Sequence, residues 1–298
     1  MLKRIIVDWG TSNFRAYRFA ADGSIADTHQ AAAGILTVPP GGFEAVLERE
    51  IGAWLDGPAE VFLSGMITSR NGWVETPYVE LPASLAALAA GAVVRSTRRG
   101  TALHFLPGVA AHSPLPDVMR GEEIQIFGSV GPGEDATLIL PGTHSKWARV
   151  EGGRLTAYRT FMTGEAFAVL KGHSILGRLM PEGAASPAGA FAAGVRQALA
   201  NTSAGLLSDI FTTRAGALLA SFPPEEIAER LSGILIGHEI RGGLSLGWPA
   251  GDLILVGDAA LCARYGAALD IAGCRHRMGP AHATVEGFAR LSALRGQA

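Results

Sequence analysis

Apolar and polar residues follow two different rhythms along this chain. Near the start, Ile5-Ile6-Val7 is a continuous apolar run that stops at Asp8, and Phe14–Phe19 alternates polar with apolar before a turn at Ala21-Asp22-Gly23. Residues 4–8, 13–20 and 24–31 are therefore predicted as a three-stranded meander. Phe43, Val46, Leu47, Ile51, Trp54 and Leu55 recur at helical spacing. A buried strand is expected at 61–63, followed by a long polar and aromatic loop from Ser64 to Glu80. Further on, 103–109 reads as a strand and 120–130 as a helix. A second strand unit, Thr137–Leu140, runs into Pro141-Gly142-Thr143-His144-Ser145-Lys146, and 146–151 and 154–161 read as a hairpin around Gly152-Gly153. From 164 to 246 the pattern is almost wholly helical, punctuated by Pro181, Pro187 and Pro223-Pro224. A last buried strand, Leu253–Val256, feeds a helix over 259–268, and a helical segment from His282 to Leu294 follows.

One theme occurs twice. At 5–20 and again at 138–160 a buried strand ends in a Gly-Thr turn and enters a hairpin. This predicts two related α/β halves with a central cleft, divided near Gly131-Pro132-Gly133 into domains 1–132 and 133–298. The length, 298 residues, allows two domains with substantial cores. Its 39 glycines suit many tight strand-to-helix turns.

Charge and composition narrow the function classes. A formal net charge of −2 argues against a polybasic surface for nucleic acid. Two cysteines, Cys262 and Cys274, without CxxC or Cys/His spacing, support neither a disulfide framework nor a zinc site, so a reduced cytoplasm is expected. Met-Leu-Lys-Arg precedes an apolar stretch far shorter than that of a signal peptide, and no run reaches the length of a membrane span. Gly131-x-Gly133-x-x-Ala136 precedes a strand instead of following one, so it is not a dinucleotide fingerprint.

The chemistry begins at Asp8-Trp9-Gly10-Thr11-Ser12-Asn13. A carboxylate at a strand tip can hold Mg²⁺ through water, Gly10 lets the backbone approach an anion, and Thr11 and Ser12 donate hydrogen bonds. Taken alone, the string is equally a strand end with an ordinary Asp.

Longer strings carry a resemblance. The 8–12 turn, the Gly142-Thr143 turn and the late strand–Gly257–helix segment resemble the nucleotide-contacting elements of the actin/hexokinase/Hsp70 superfold. SGMITSRNGWVETPYVELPA (64–83), MRGEE (119–123), LPGTHSKW (140–147) and FMTGEAF (161–167) resemble the 2-dehydro-3-deoxygalactonokinases, and the likeness runs from residue 4 to about 290. The resemblance implies a two-domain actin-like ATPase fold of ribonuclease H-like halves. It also implies phosphorylation, by ATP, of the 6-hydroxyl of 2-dehydro-3-deoxy-D-galactonate in galactonate breakdown, with Mg²⁺ as cofactor. On that basis Gly10, Thr11, Ser12 and Asn13 contact ATP phosphates and Asp8 positions the metal. Gly142, Thr143 and His144 form a second phosphate turn, and Gly257 lies near adenine or ribose. Where the superfold often carries an acidic residue before the second glycine, Pro141 stands here, and Gly257-Asp258 replaces a pair of glycines. The alternative for Asp258 is a cap on the following helix.

Roles for individual residues follow from the reaction. Lys146 can neutralise charge on the transferred phosphoryl group, against the alternative of a solvent-facing hairpin lysine. The proton of the acceptor hydroxyl needs a base, and Glu122 is the first candidate with Glu123 its rival; both also suit a first helical turn through the helix dipole. Ser69, Arg70, Trp73 and Tyr78 are expected to bind the acceptor. There Arg offers a fork for a carboxylate and Trp a platform, and the alternative is a surface Arg and a core Trp. Thr163 and Glu165 are expected to meet substrate hydroxyls. His238 reads as a packing or capping residue. The expected partner is a small sugar acid, with no nucleic acid and no membrane, and a homodimer is left open. The rivals are a kinase for the gluconate-derived epimer, a phosphatase or ATPase on the same superfold, and a non-catalytic binding regulator.

Overall fold

The apolar run at 5–7 forms an inner strand of a six-stranded sheet in the computed structural model, which describes residues 2–181, 183, 187–200, 205–248 and 251–295. The elements up to residue 130 are β1 (Lys3–Trp9), β2 (Phe14–Phe19), β3 (Ile25–Ala31), α1 (Phe43–Ile51), β4 (Ala59–Ser64), β5 (Val79–Glu80), α2 (Leu85–Ala90), β6 (Val93–Ser96), β7 (Ala102–Phe105), β8 (Val109–Ala111), β9 (Asp117–Met119) and α3 (Glu122–Ser129). The main sheet has the order β3-β2-β1-β4-β7-β6. β1, β2 and β3 are an antiparallel meander, β4 and β7 run parallel to β1, and β6 is an added antiparallel edge strand. Ile5, Val7, Trp9, Phe14, Leu47, Val61, Leu63 and Phe105, all fully buried, make its core.

Beyond residue 135 come β10 (Ala136–Leu140), β11 (Ser145–Glu151), β12 (Arg154–Phe161), α4 (Thr163–His173), α5 (Ala190–Ala200), α6 (Gly205–Leu218), α7 (Ile227–Leu244), β13 (Leu253–Leu255), α8 (Ala259–Ile271), β14 (His276–Met278) and α9 (Ala283–Arg295). The second sheet has the order β12-β11-β10-β13-β14, with β10, β13 and β14 parallel. Its strands thus run third, second, first, fourth, fifth, as do those of the first sheet once β6 is set aside. Two ribonuclease H-like sheets in one chain give the α/β, actin-like type of fold. Ile139, Trp147, Val195, Ile240, Tyr265 and Leu269 centre the second core.

The chain separates into two compact units, but not at one cut near 132. Unit 1 runs to Asp135 and also takes in 150–157 and the chain from Pro280 onward; unit 2 is 136–149 and 158–279. The late return has a physical cause inside unit 1. Arg290 donates to the carbonyls of Phe127 (2.6 Å) and Val130, two acceptors at the C-terminal end of α3. Along the same helix pair, a Cβ on Gly128 would lie 1.8 Å from the Ala283 carbonyl oxygen, so α3 and α9 touch backbone to backbone. The three-stranded sheet β5-β8-β9, and α2 and β6 between residues 85 and 96, are absent from the sequence reading. Each is only two to six residues long, below what local periodicity resolves.

Gly128→Ala should push α3 and α9 apart and cost about 2–3 kcal/mol. A urea midpoint equal to that of the parent protein would refute the backbone contact.

Candidate active site

Within unit 1, the parallel register sets Asp8 beside Ser64 at the C-terminal ends of β1 and β4. Both strands then give way to glycine-assisted turns. Gly65 has φ 90°, and a Cβ there would lie 2.9 Å from the Trp9 carbonyl oxygen and 3.2 Å from Oδ1 of Asp8. A Cβ on Gly121, φ 113°, would lie 3.2 Å from Cα of Gly65. Only glycine suits these positions, and the effect is to bring the start of α3 against the tip of β1.

The carboxyls collected here interact. Asp8 keeps 21% of its side-chain surface, and Arg15 Nη1 stands 3.9 Å from its Oδ2. Burial raises the Asp8 pKa from 3.8 to about 6; Arg15 opposes the shift and Glu122 adds to it. Glu122 accepts from the Arg120 amide at 3.2 Å. Glu123 is only 1% exposed, and both its oxygens accept from the Gly121 amide, at 2.9 and 2.7 Å. Burial, with Glu122 adding, pushes the Glu123 carboxyl up to about 8, so it is mostly protonated at neutral pH. Ser64 Oγ is buried and finds no partner among the described residues.

The Gly10–Asn13 turn is held from behind. Gly34, Ile35 and Leu36 donate backbone amides to the carbonyls of Ser12, Gly10 and Thr11, at 3.2, 3.0 and 3.3 Å. A Cβ on Gly34 would lie 2.2 Å from the Thr11 carbonyl oxygen. The Trp9 indole N–H donates to Ala33 at 2.7 Å and anchors the same segment. Thr11, Ser12 and Asn13 stay exposed.

The 64–80 segment departs from the sequence reading. Arg70 is 86% exposed and pairs with Glu75 at 3.5 Å. Trp73 stacks on Phe43 and meets Phe105 edge-on, so it packs against the core. Ser69 donates its hydroxyl to the Met66 carbonyl, and Tyr78 lies under the Arg120 guanidinium. Arg120, which the sequence reading passed over, organises the segment. Its Nη1 donates to the hydroxyls of Thr68 (2.8 Å) and Thr76 (2.6 Å), and its Nη2 to the Thr76 carbonyl (3.2 Å).

Within unit 2, the Gly142–His144 turn is backed in the same way. A Cβ on Gly164 would lie 2.5 Å from the Gly142 carbonyl oxygen, and the Glu165 amide donates to Thr143 at 2.9 Å. His144 pairs with the Glu165 carboxylate. Lys146 is not solvent-facing: it is 3% exposed, and its Nζ donates to the His144 carbonyl at 3.0 Å. Thr163 directs its hydroxyl to Glu239, another residue the sequence reading missed. Gly257, φ 137°, is exposed close to the Pro141 carbonyl, and Asp258 caps α8 by accepting from the Leu261 amide at 2.9 Å. His238 bonds the buried Asp209 at 2.6 Å, which makes it a packing residue within the helices.

Comparison with known proteins identifies the family of the chain. Residues 8–291 match the family described as 2-keto-3-deoxy-galactonokinase. A Rhizobium meliloti protein assigned as a 2-dehydro-3-deoxygalactonokinase is 36% identical over 279 residues, covering 91% of this chain and 90% of that protein. The Escherichia coli 2-dehydro-3-deoxygalactonokinase is 33% identical over 271 residues, with the same coverage. A crystal structure of a Sinorhizobium meliloti protein assigned to the same activity superposes with a TM-score of 0.88 at 35% identity, covering 97% of each chain.

Because folding raises the Asp8 pKa, the native state holds that proton more tightly than the unfolded chain. The resulting stability is present below about pH 4 and is lost as pH rises through about 6. Asp8→Asn should therefore exceed the parent in stability at pH 8 by on the order of 2–3 kcal/mol, the gain shrinking toward pH 4. Urea melts across that range test it; a gain that does not depend on pH would contradict the burial argument.

Proposed function

The chain belongs to the 2-keto-3-deoxy-galactonokinase family, and from that premise we propose which of its residues perform the phosphoryl transfer. It is a kinase for 2-keto-3-deoxygalactonate, and ATP dependence is general to the family. Among the described residues no helix is long and apolar enough to cross a membrane.

The observation that carries the assignment is the glycine contact of Gly121 on Gly65 and of Gly65 on Asp8, which brings the start of α3, and Glu122 with it, to the strand tip. Glu122 is the base: it is partly exposed, whereas Glu123 is buried, protonated at neutral pH and bound to the Gly121 amide. Glu122 takes the proton of the 6-hydroxyl as that oxygen forms its bond to the γ-phosphorus and ADP leaves. The exposed Gly10–Asn13 turn in unit 1 and the Gly142–His144 turn in unit 2 bind ATP phosphates. Lys146, folded onto the second turn, neutralises developing charge.

The donor set also suits Mg²⁺. A strand-tip carboxylate and the orphaned hydroxyl of Ser64 are hard oxygen donors, and Mg²⁺ commonly takes one or two carboxylates, waters and substrate phosphates. Among the described residues no group of three or more acidic, His or Cys side chains forms a cage, which fits a metal held largely by nucleotide and water. When bound, Mg²⁺ would screen phosphate charge, with Asp8 as its protein ligand through water. The acceptor carboxylate and hydroxyls fall to the 64–80 segment, where Tyr78 and the loop shaped by Arg120 are better placed than Trp73, whose ring packs on Phe43 and Phe105.

Coupled ADP release should depend on 2-dehydro-3-deoxygalactonate and be at background with galactonate or gluconate. Acceptor-independent ATP turnover would instead indicate an ATPase. Glu122→Gln should lower kcat by about 10²–10⁴-fold with little change in KM for ATP. A parental rate in that variant, with Glu123→Gln inactive, would move the base to Glu123.

A further inference from the structure

Glu239 sits on α7, 93 residues beyond Lys146, and plays no part in the reaction as written above. Its side chain is 2% exposed, yet it has four donors. Ser145 Oγ (2.6 Å) and Trp147 Nε1 (3.0 Å) donate to Oε1. Thr163 Oγ1 and Tyr265 Oη (2.5 Å) donate to Oε2. A carboxylate has about four acceptor sites, so all four are filled. For packing alone, an apolar side chain of similar volume would serve α7 as well and avoid the desolvation cost. What the carboxylate supplies is direction.

Two of the four donors bracket the second phosphate turn. Ser145 is the first residue of β11, directly after Gly142-Thr143-His144. Thr163 is the first residue of α4, and the next two residues are those that touch the turn: Gly164, packed against Gly142 and Thr143, and Glu165, whose amide donates to Thr143 at 2.9 Å. A single carboxylate therefore joins the exit of the turn to the segment behind it. The other two donors, Trp147 and Tyr265, fix that carboxylate to β11 and α8 within the core.

We propose that Glu239 is a positioning residue for ATP: through Ser145 and Thr163 it holds the Gly142–His144 turn in the shape that binds phosphate. This rests on the reading of that turn as an ATP element. Glu239 touches no reacting atom, so its loss acts through the nucleotide. The sugar acid and the proton transfer belong to other residues.

The test is steady-state kinetics of the full chain, with ATP and sugar acid varied separately and melting temperatures measured in parallel. Ser145→Ala and Thr163→Val each should raise KM for ATP at least five-fold, leaving KM for the sugar acid within two-fold. Glu239→Ala should raise KM for ATP more than either, and Glu239→Gln, which still accepts on one oxygen, should recover part of the loss. Tyr265→Phe removes a donor remote from the turn; it should lower the melting temperature but keep KM for ATP within two-fold. Should Tyr265→Phe raise KM for ATP as much as Ser145→Ala does, the network is structural only and the proposal falls. It falls likewise if Ser145→Ala and Thr163→Val leave KM for ATP unchanged, or if Thr163→Val raises KM for the sugar acid instead. Thr143→Ala separates the two readings. If it too leaves KM for ATP unchanged, the assignment of the turn to ATP fails; if it raises that KM while Ser145→Ala and Thr163→Val do not, only the role of Glu239 fails.

Discussion

A carboxyl buried at a strand tip is the constraint on which unit 1 is built. Asp8 and Glu122 are far apart in sequence; burial makes Asp8 harder to ionise, and the Glu122 carboxyl adds to that effect. The fold tolerates the pair because Gly65 and Gly121 bring two backbones into contact, and because Arg15 stands near enough to Asp8 to offset part of the repulsion. A side chain at either glycine would push the start of α3 away from the strand tip, and the chemistry would go with it. Site geometry here is set by backbone proximity more than by side-chain packing.

Unit 2 repeats the sheet order and the turn, but solves a different electrostatic problem. It lacks a carboxylate at the position of Asp8: Leu140 stands two residues before Gly142, as Asp8 stands two before Gly10. A turn without an acidic neighbour suits contact with phosphate alone. Its acidic group lies beneath the turn, in Glu239, buried among four hydrogen-bonding side chains. In both units a glycine after the third strand, Gly34 or Gly164, presses on the turn from behind.

Much of this was legible in the chain. Strand tips, Gly-Thr turns and the repeat of their order are local signals, because glycine, hydroxyls and apolar runs act within a few residues. What local pattern could not supply is the identity of long-range partners. Arg120 finds Thr76 across 44 residues, and Glu239 finds Ser145 across 94. Neither partner can be read from the residues beside it in sequence. The same limit explains Trp73, which reads as a sugar platform until Phe43 and Phe105 are seen beside it, and Lys146, whose burial and bond to the His144 carbonyl no local pattern reveals.

Arg290 and the α3–α9 contact carry a consequence for biosynthesis. The strands of unit 1 leave the ribosome first, yet the helix that completes it emerges only after every strand of unit 2. At ordinary elongation rates that gap is on the order of ten seconds or more. Throughout it α3 lacks its packing partner and its terminal carbonyls lack Arg290. The half that is made first is thus finished last, and during translation the face of α3 that α9 will cover stays open.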